Sequence, residues 1–300
     1  EAMNQLGRIT GNDAWNDFHG AQDKPYKQGW LDMAVNYALQ RSTAPDNPIF
    51  NSEDHLIADG EKRYIPAEHI RTAIWHQALQ GQGAATVWVW ERQQSGDLAE
   101  NILTRANCVR ALGRVGLDLN RLGEEVHTLQ RAKAEMAILY SPCSMLPSAD
   151  HTTEAKAVFE GAYFTGVMCD IVTERQAAQG KLKRYKLIVA PRVSHTRDAV
   201  LEAMDAYVRT GGTLVTIGEC FTRNEYGHKR EAAFAPEGDG RLVTQPDLLT
   251  PEGYRDLLDS LLDETGCARP IRIEDANGKP VWGVHWRAAT QRRGVWLVAM

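Results

Sequence analysis

Pro48-Ile49-Phe50-Asn51-Ser52-Glu53-Asp54-His55 decides how the first part of this chain is read. A short apolar run, Ile49-Phe50, ends abruptly in the polar cluster Asn51-Ser52-Glu53. Flanked by proline and loop residues, such a run predicts a buried strand. In an α/β enzyme the C-terminal end of such a strand is where catalytic groups stand, because the following loop opens onto the shared active face. Glu53 is therefore the candidate catalytic residue.

The neighbouring segments extend this into a layer. Trp30, Met33, Ala34, Tyr37 and Ala38 recur at three- and four-residue spacing and predict a helix before the strand. Pro66 opens a second helix through Ile70, Ala73, Ile74, Gln77 and Ala78 to Gly81. Ala84-Ala85-Thr86-Val87-Trp88-Val89-Trp90 is a second buried strand, followed by Glu91-Arg92 and by a long helix from about Asp97 to Lys133 that Gly113, Gly116 and Gly123 interrupt. Upstream, Gly11 to Gly20 is loop chemistry around a short strand. Strand, helix, strand, helix, with polar groups at strand C-termini, is the order of a parallel α/β layer. The visible strands are too few to close a barrel.

The register restarts at residue 133. Met136–Tyr140, Cys169–Val172, Leu187–Ala190 and Thr213–Ile217 are apolar strands. Helices from Thr152 or Thr153, from Asp198 to Arg209 and from Pro251 to Thr265 alternate with them, and Gly211-Gly212 is a strong helix stop. The alternation predicts an open, doubly wound, flavodoxin-like sheet over 133–265. From 266 the pattern alternates with period two through Ile271-Arg272-Ile273, Val281 to Arg287 and Gly294 to Val298, with Asn277-Gly278 as a hairpin signal. It reads as the start of a β-sandwich. Both ends of the 300 residues read as cut from a longer protein, which leaves export undecided between cytoplasmic and secreted.

Composition narrows the partners. The chain is 43% hydrophobic and 24% charged, carries a net charge of −5, and holds no apolar run long enough to span a bilayer. Nothing favours nucleic acid or an anionic membrane. The five cysteines are scattered, odd in number and without CxxC spacing, so they read as reduced thiols rather than a disulfide framework or zinc site. His19, His55, His69 and His76 show no metal spacing, His55 reads as a loop hydrogen-bonder, and no cofactor or metal is expected. Eight tryptophans are many, and such rings serve carbohydrate sites as flat apolar platforms.

Pro48 to His55 followed by Trp88-Val89-Trp90 resembles the seventh and eighth strands of the (β/α)8 barrel in retaining glycoside hydrolases, and Asp17-Phe18-His19 resembles the polar end of strand six. In layout the chain is most similar to glycoside hydrolase family 42, β-galactosidases with a trimerisation domain after the barrel. The segments Tyr185–Pro191 and Tyr207–Gly218 resemble that trimerisation domain, which shares its fold with class I glutamine amidotransferases. The resemblance implies an α/β protein with three parts: a C-terminal barrel portion over 1–132, a trimerisation domain over 133–265 and a β domain from 266. It implies a β-galactosidase-like retaining hydrolase acting on an oligo- or polysaccharide as a homotrimer. Glu53 would be the nucleophile and Trp90, nearer the strand end than the core residue Trp88, the sugar platform. Asp17, His19 and Asn51 would be substrate-binding groups, and the acid/base carboxyl would come from a strand before residue 1. Retaining chemistry needs that second carboxyl roughly 5–5.5 Å from the first.

Two other readings compete. One is a catalytically silent carbohydrate-binding or assembly protein on the same folds. The other is a Cys-dependent amidase, because Gly218-Glu219-Cys220-Phe221-Thr222 sets a cysteine just past a strand. Thr222 stands where a nucleophile elbow wants a small residue, and no His-x-Glu pair follows, although His228 is near. Ser141-Pro142-Cys143-Ser144 lacks the glycines of a phosphate cradle and reads as a structural loop.

Overall fold

The computed structural model describes residues 7–16, 18, 29–90, 102–291 and 294–300, so the expectations placed on Asp17, His19 and Glu91 lie outside the described residues. The chain forms two compact units, Glu1–Ala132 with Ala289–Trp296 and Met300, and Lys133–Ala288 with Leu297–Ala299.

The first unit alternates β1 (Thr10–Trp15), α1 (Leu31–Thr43), β2 (Ile49–His55), α2 (Ala67–Leu79) and β3 (Gln82–Trp88), then α3 (Ala106–Arg121) and α4 (Gly123–Gln130). The strands are parallel in the order β1-β2-β3, as helical crossovers require. α1 buries Met33, Ala34, Tyr37 and Ala38. Ile70 and Ala73 of α2 pack with Leu56, Ile57, Ile65, Ile102, Cys108 and Ala111 in one apolar cluster. The long helix expected up to Lys133 is two helices. It runs through Gly113 and Gly116, which face open space, and breaks at Leu122. β1 is a six-residue strand where the sequence suggested mainly loop, because its polar residues hide the strand pattern.

The second unit holds β4 (Met136–Tyr140), α5 (Pro142–Met145), α6 (Asp150–Tyr163), β5 (Cys169–Thr173), α7 (Glu174–Ala178), β6 (Leu187–Pro191), α8 (Asp198–Arg209), β7 (Thr213–Ile217), β8 (Arg241–Gln245) and α9 (Pro251–Glu264). Its five strands are parallel in the order β5-β4-β6-β7-β8. Every residue of β5, β6 and β7 is buried, the mark of a parallel sheet covered on both faces. α6 starts at Asp150, ahead of the expected threonine cap, and the Asp150 amide donates to Ser148 Oγ at 3.1 Å. α6 and α9 approach backbone to backbone at Gly161, where a Cβ would lie 2.7 Å from Pro251 O and 2.8 Å from Arg255 N.

The expected β-sandwich opening takes a reduced form. Ile271-Arg272-Ile273 is not a strand, Asn277-Gly278 does turn the chain with Gly278 at φ 77°, and β9 (Trp286–Gln291) pairs with β10 (Gly294–Ala299). The turn is held by Asp275 Oδ1, which accepts from the amides of Asn277 and Lys279. Among the described residues no helix is long and apolar enough to cross a membrane.

Candidate active site

The site follows from the register of three short strands. β2 carries a bulge: Asn51 faces Asn12 while Glu53 faces Asp13, leaving Ser52 without a partner on β1. A bulge adds one residue and shifts which side chains share a face. Asn51 and Asp54 therefore both turn into the buried interior, whereas Glu53 and His55 share the other face. Asn51 is fully buried, and its amide repairs the interrupted ladder: Oδ1 accepts from Ala14 N at 3.1 Å and Nδ2 donates to Ala14 O at 3.3 Å. Both polar atoms are thus committed to the backbone. Asn51 sets the bulge that aims Glu53, and the substrate contact expected of it is not where its side chain goes.

Beneath Glu53, Asp54 accepts from Gln77 Nε2 at 2.5 Å. Burial pushes its carboxyl up to about 7, against the lowering effect of the hydrogen bonds from Gln77 and Gln82. The chain after β2 is pinned by Glu61. Arg63 donates Nε to both of its carboxylate oxygens at 2.9 Å, and Arg105 donates to the carbonyls of Glu61 and Arg63. Chiefly through the hydrogen bonds from Arg63, Glu61 is held down at about 2.

On the open face the register lines up two rows. Asp13 of β1 lies beside Glu53 of β2, both carboxylates about half exposed. One step further, Trp15, His55 and Trp88 stand side by side across β1, β2 and β3. The His55 ring stacks on Trp15 with centroids 3.9 Å apart and planes 7° apart, and lies 5.7 Å from Trp88. Nε2 of His55 is 3.4 Å from Asp13 Oδ1 and 3.8 Å from Glu53 Oε2. The side chain is only 3% exposed, and neither ring nitrogen has a hydrogen-bond partner among the described residues. His55 thus closes the strand between two indoles and is not the loop hydrogen-bonder its sequence position suggests, since the bulge carries β2 two residues past Glu53.

Trp88 also departs from its core assignment. It is half-buried, rests near His55 and donates its indole N–H to Asp59 Oδ1 at 3.1 Å. Trp90 lies beyond the end of β3 and is 44% exposed. Asp13 and Trp15 were missed by sequence reasoning, which singled out His55 but placed it in a loop. The available signal was the spacing of Asp13 and Trp15, which share a strand face, matched by Glu53 and His55. The pairing between strands that brings these residues together is a tertiary fact.

The competing cysteine has the wrong chemistry. The Cys220 thiol donates to Ala190 O at 3.0 Å, and burial pushes it up to about 11, so it is held as a thiol and not as the nucleophilic thiolate. After β4 the expected loop is the short helix α5, and Ser141 caps it: its Oγ accepts from Ser144 N and donates to Glu174. The amide an anion would need is already used, and a buried carboxylate stands beside it.

A three-stranded parallel sheet with polar groups at its C-terminal ends and a five-stranded parallel sheet in the second unit define an α/β chain of two units. Known proteins narrow this. Residues 132–237 match the family description "Beta-galactosidase trimerisation domain". The fold is similar to the exo-carrageenase of glycoside hydrolase family 42 from Bacteroides ovatus, with a TM-score of 0.79, 22% identity, and coverage of 97% of this chain and 41% of that one. It is similar to the β-galactosidase from Bacillus circulans sp. alkalophilus (TM-score 0.77, 13% identity, 100% and 55% covered). The same holds for the β-galactosidase from Rahnella sp. R3 (TM-score 0.76, 14% identity, 96% and 54% covered). No curated protein sequence matches the chain. This chain is thus like the family 42 glycoside hydrolases in fold, and it spans about half the length of the solved structures it matches.

Proposed function

We propose that the protein is a retaining glycoside hydrolase that cleaves β-glycosidic bonds of an oligo- or polysaccharide, with Glu53 as nucleophile. The observation that carries this reading is the position of Glu53 at the C-terminal end of β2, level with Asp13 and one step below the Trp15–His55–Trp88 row. A carboxylate beside a wall of flat rings matches the needs of glycosyl transfer. Glu53 attacks the anomeric carbon, the leaving oxygen takes a proton from an acid, and water then hydrolyses the glycosyl ester with the proton returned. Asp13 does not supply that acid, because it is the register neighbour of Glu53 and reaches from the same wall. The acid and nucleophile of a retaining enzyme flank the scissile bond. The acid/base residue is therefore assigned to a strand outside this chain.

Trp90 is proposed as a sugar platform outside the strand, with Trp88 and Trp15 bounding the inner subsite and Asp17 and His19 supplying polar contacts. The second unit, with its flavodoxin-like strand order and its match to a trimerisation domain, is proposed to assemble the protein into a homotrimer. Glu53→Gly tests the assignment in the full-length protein. Activity on an aryl glycoside should vanish and return with added azide, yielding an inverted glycosyl azide. Failure of azide to restore turnover, with the variant folded, removes Glu53 from the nucleophile's role.

A further inference from the structure

We propose that Asp13, Glu53 and His55 form a three-donor site for a divalent transition-metal ion of the zinc class, and that the ion, once bound, blocks the site by occupying Glu53. One donor atom from each of the three residues can be chosen so that all lie within 4.8 Å of one another. The shortest separation, 3.4 Å from His55 Nε2 to Asp13 Oδ1, is too long for a good hydrogen bond. It matches the roughly 3.3–3.6 Å edge of a tetrahedron whose ligands stand about 2.0–2.2 Å from the ion. The 3.8 Å separation to Glu53 Oε2 closes to that value with a small rotation of a carboxylate that is about half exposed.

The imidazole is the second observation and is independent of the acids. Its side chain is 3% exposed, clamped against Trp15, and turns an unpartnered Nε2 toward the two carboxylates. A buried polar atom without a partner is costly unless something else meets it. Two carboxylates and one neutral imidazole are borderline donors that suit zinc, cobalt or manganese rather than calcium. The two carboxylates would cancel the ion's charge. With three protein donors, a fourth position stays open on the exposed side, as in zinc sites that exchange a water.

The blocking step rests on the glycosidase reading, whereas the binding step does not, and the experiment separates them. Full-length protein is stripped with a chelator and titrated with cobalt(II), followed by visible absorption and calorimetry. One equivalent should bind with the intense bands of a low-coordinate ion, and zinc should displace it. Asp13→Asn, a conservative change at an exposed side chain, should weaken binding roughly tenfold or more, and His55→Gln should do the same. Zinc should then inhibit glycoside turnover in the parent protein with the affinity read from the titration. Absence of cobalt bands, or bands that Asp13→Asn leaves untouched, overturns the site. Cobalt binding without zinc inhibition in an active enzyme overturns the blocking role. Binding in a protein with no glycosidase activity keeps the site and removes the proposed function instead.

Discussion

The two parallel sheets of this chain follow one rule of construction and use it for opposite ends. In the five-stranded sheet, β5, β6 and β7 are buried at every position, and the strands read as largely apolar runs, with Asp170 and three threonines buried among them. In the three-stranded sheet the strands read Thr-Gly-Asn-Asp-Ala-Trp, Ile-Phe-Asn-Ser-Glu-Asp-His and Gln-Gly-Ala-Ala-Thr-Val-Trp, and the middle of β3 is exposed. A sheet of the first kind draws its stability chiefly from burial, and its buried carboxylate, Asp170 of β5, is met by Arg184 and Tyr185. One of the second kind carries carboxylates and an imidazole and needs local devices to hold them: a bulge, an asparagine that mends the ladder, a buried Asp54–Gln77 pair and the Glu61–arginine clip. Clustered polar groups and apolar packing are divided between the two sheets.

The sharpest way to test this division is to alter the polar sheet where only chemistry is at stake. Glu53→Gln should lower kcat/KM on an aryl glycoside by roughly 10⁴-fold while leaving the thermal midpoint within a degree or so, since the side chain is about half exposed. In the packed sheet's unit the balance reverses. Gly161→Val drives a side chain into Pro251, Tyr254 and Arg255 and should destabilise by about 3 kcal/mol, read as an earlier urea transition. Glu61→Gln weakens the clip and should cost about 1–3 kcal/mol. Because Glu61 is held at about 2, its contribution stands above the ordinary carboxylate range and is lost as pH falls through about 2. The gap between parent and variant should accordingly be flat from pH 5 to pH 8.

Asp54 has the opposite sign. Its folded-state carboxyl is raised to about 7, so the stability it allows is present at acid pH and is lost as pH rises from about 4 toward 7. Asp54→Asn keeps an acceptor for Gln77 and removes the buried charge. It should gain roughly 2–3 kcal/mol at pH 8 relative to pH 5, measured by denaturant melts at both values. A gain independent of pH would contradict the buried-charge account.

Sequence legibility tracks the same contrast. The largely apolar strands β4 to β7 and the helices around them could be placed from runs and periodicity because burial on both faces leaves few polar interruptions. β8 escaped because it pairs on one side only and its residues are partly exposed. β1 was nearly hidden because its residues, Thr-Gly-Asn-Asp-Ala-Trp, are mostly polar or glycine. Glu53 itself was legible, as a glutamate ending an apolar run. Its surroundings were not. The bulge at Ser52 puts Asn51 on the face opposite Glu53 and His55, against simple alternation, and the cross-strand pairing with Asp13 and Trp15 leaves no local trace. Trp88 and Trp90 are two residues apart, so alternation could not separate them; the strand end, after Trp88, does.

The central claim, that Glu53 forms the covalent bond to sugar, is tested most directly by trapping. The full-length protein is inactivated with an activated 2-deoxy-2-fluoro-β-glycoside, digested and mapped by mass spectrometry. The account predicts one glycosylated peptide, containing Ile49 to His55, with the sugar as an ester on Glu53. A label on any other carboxylate, Asp13 included, would contradict it.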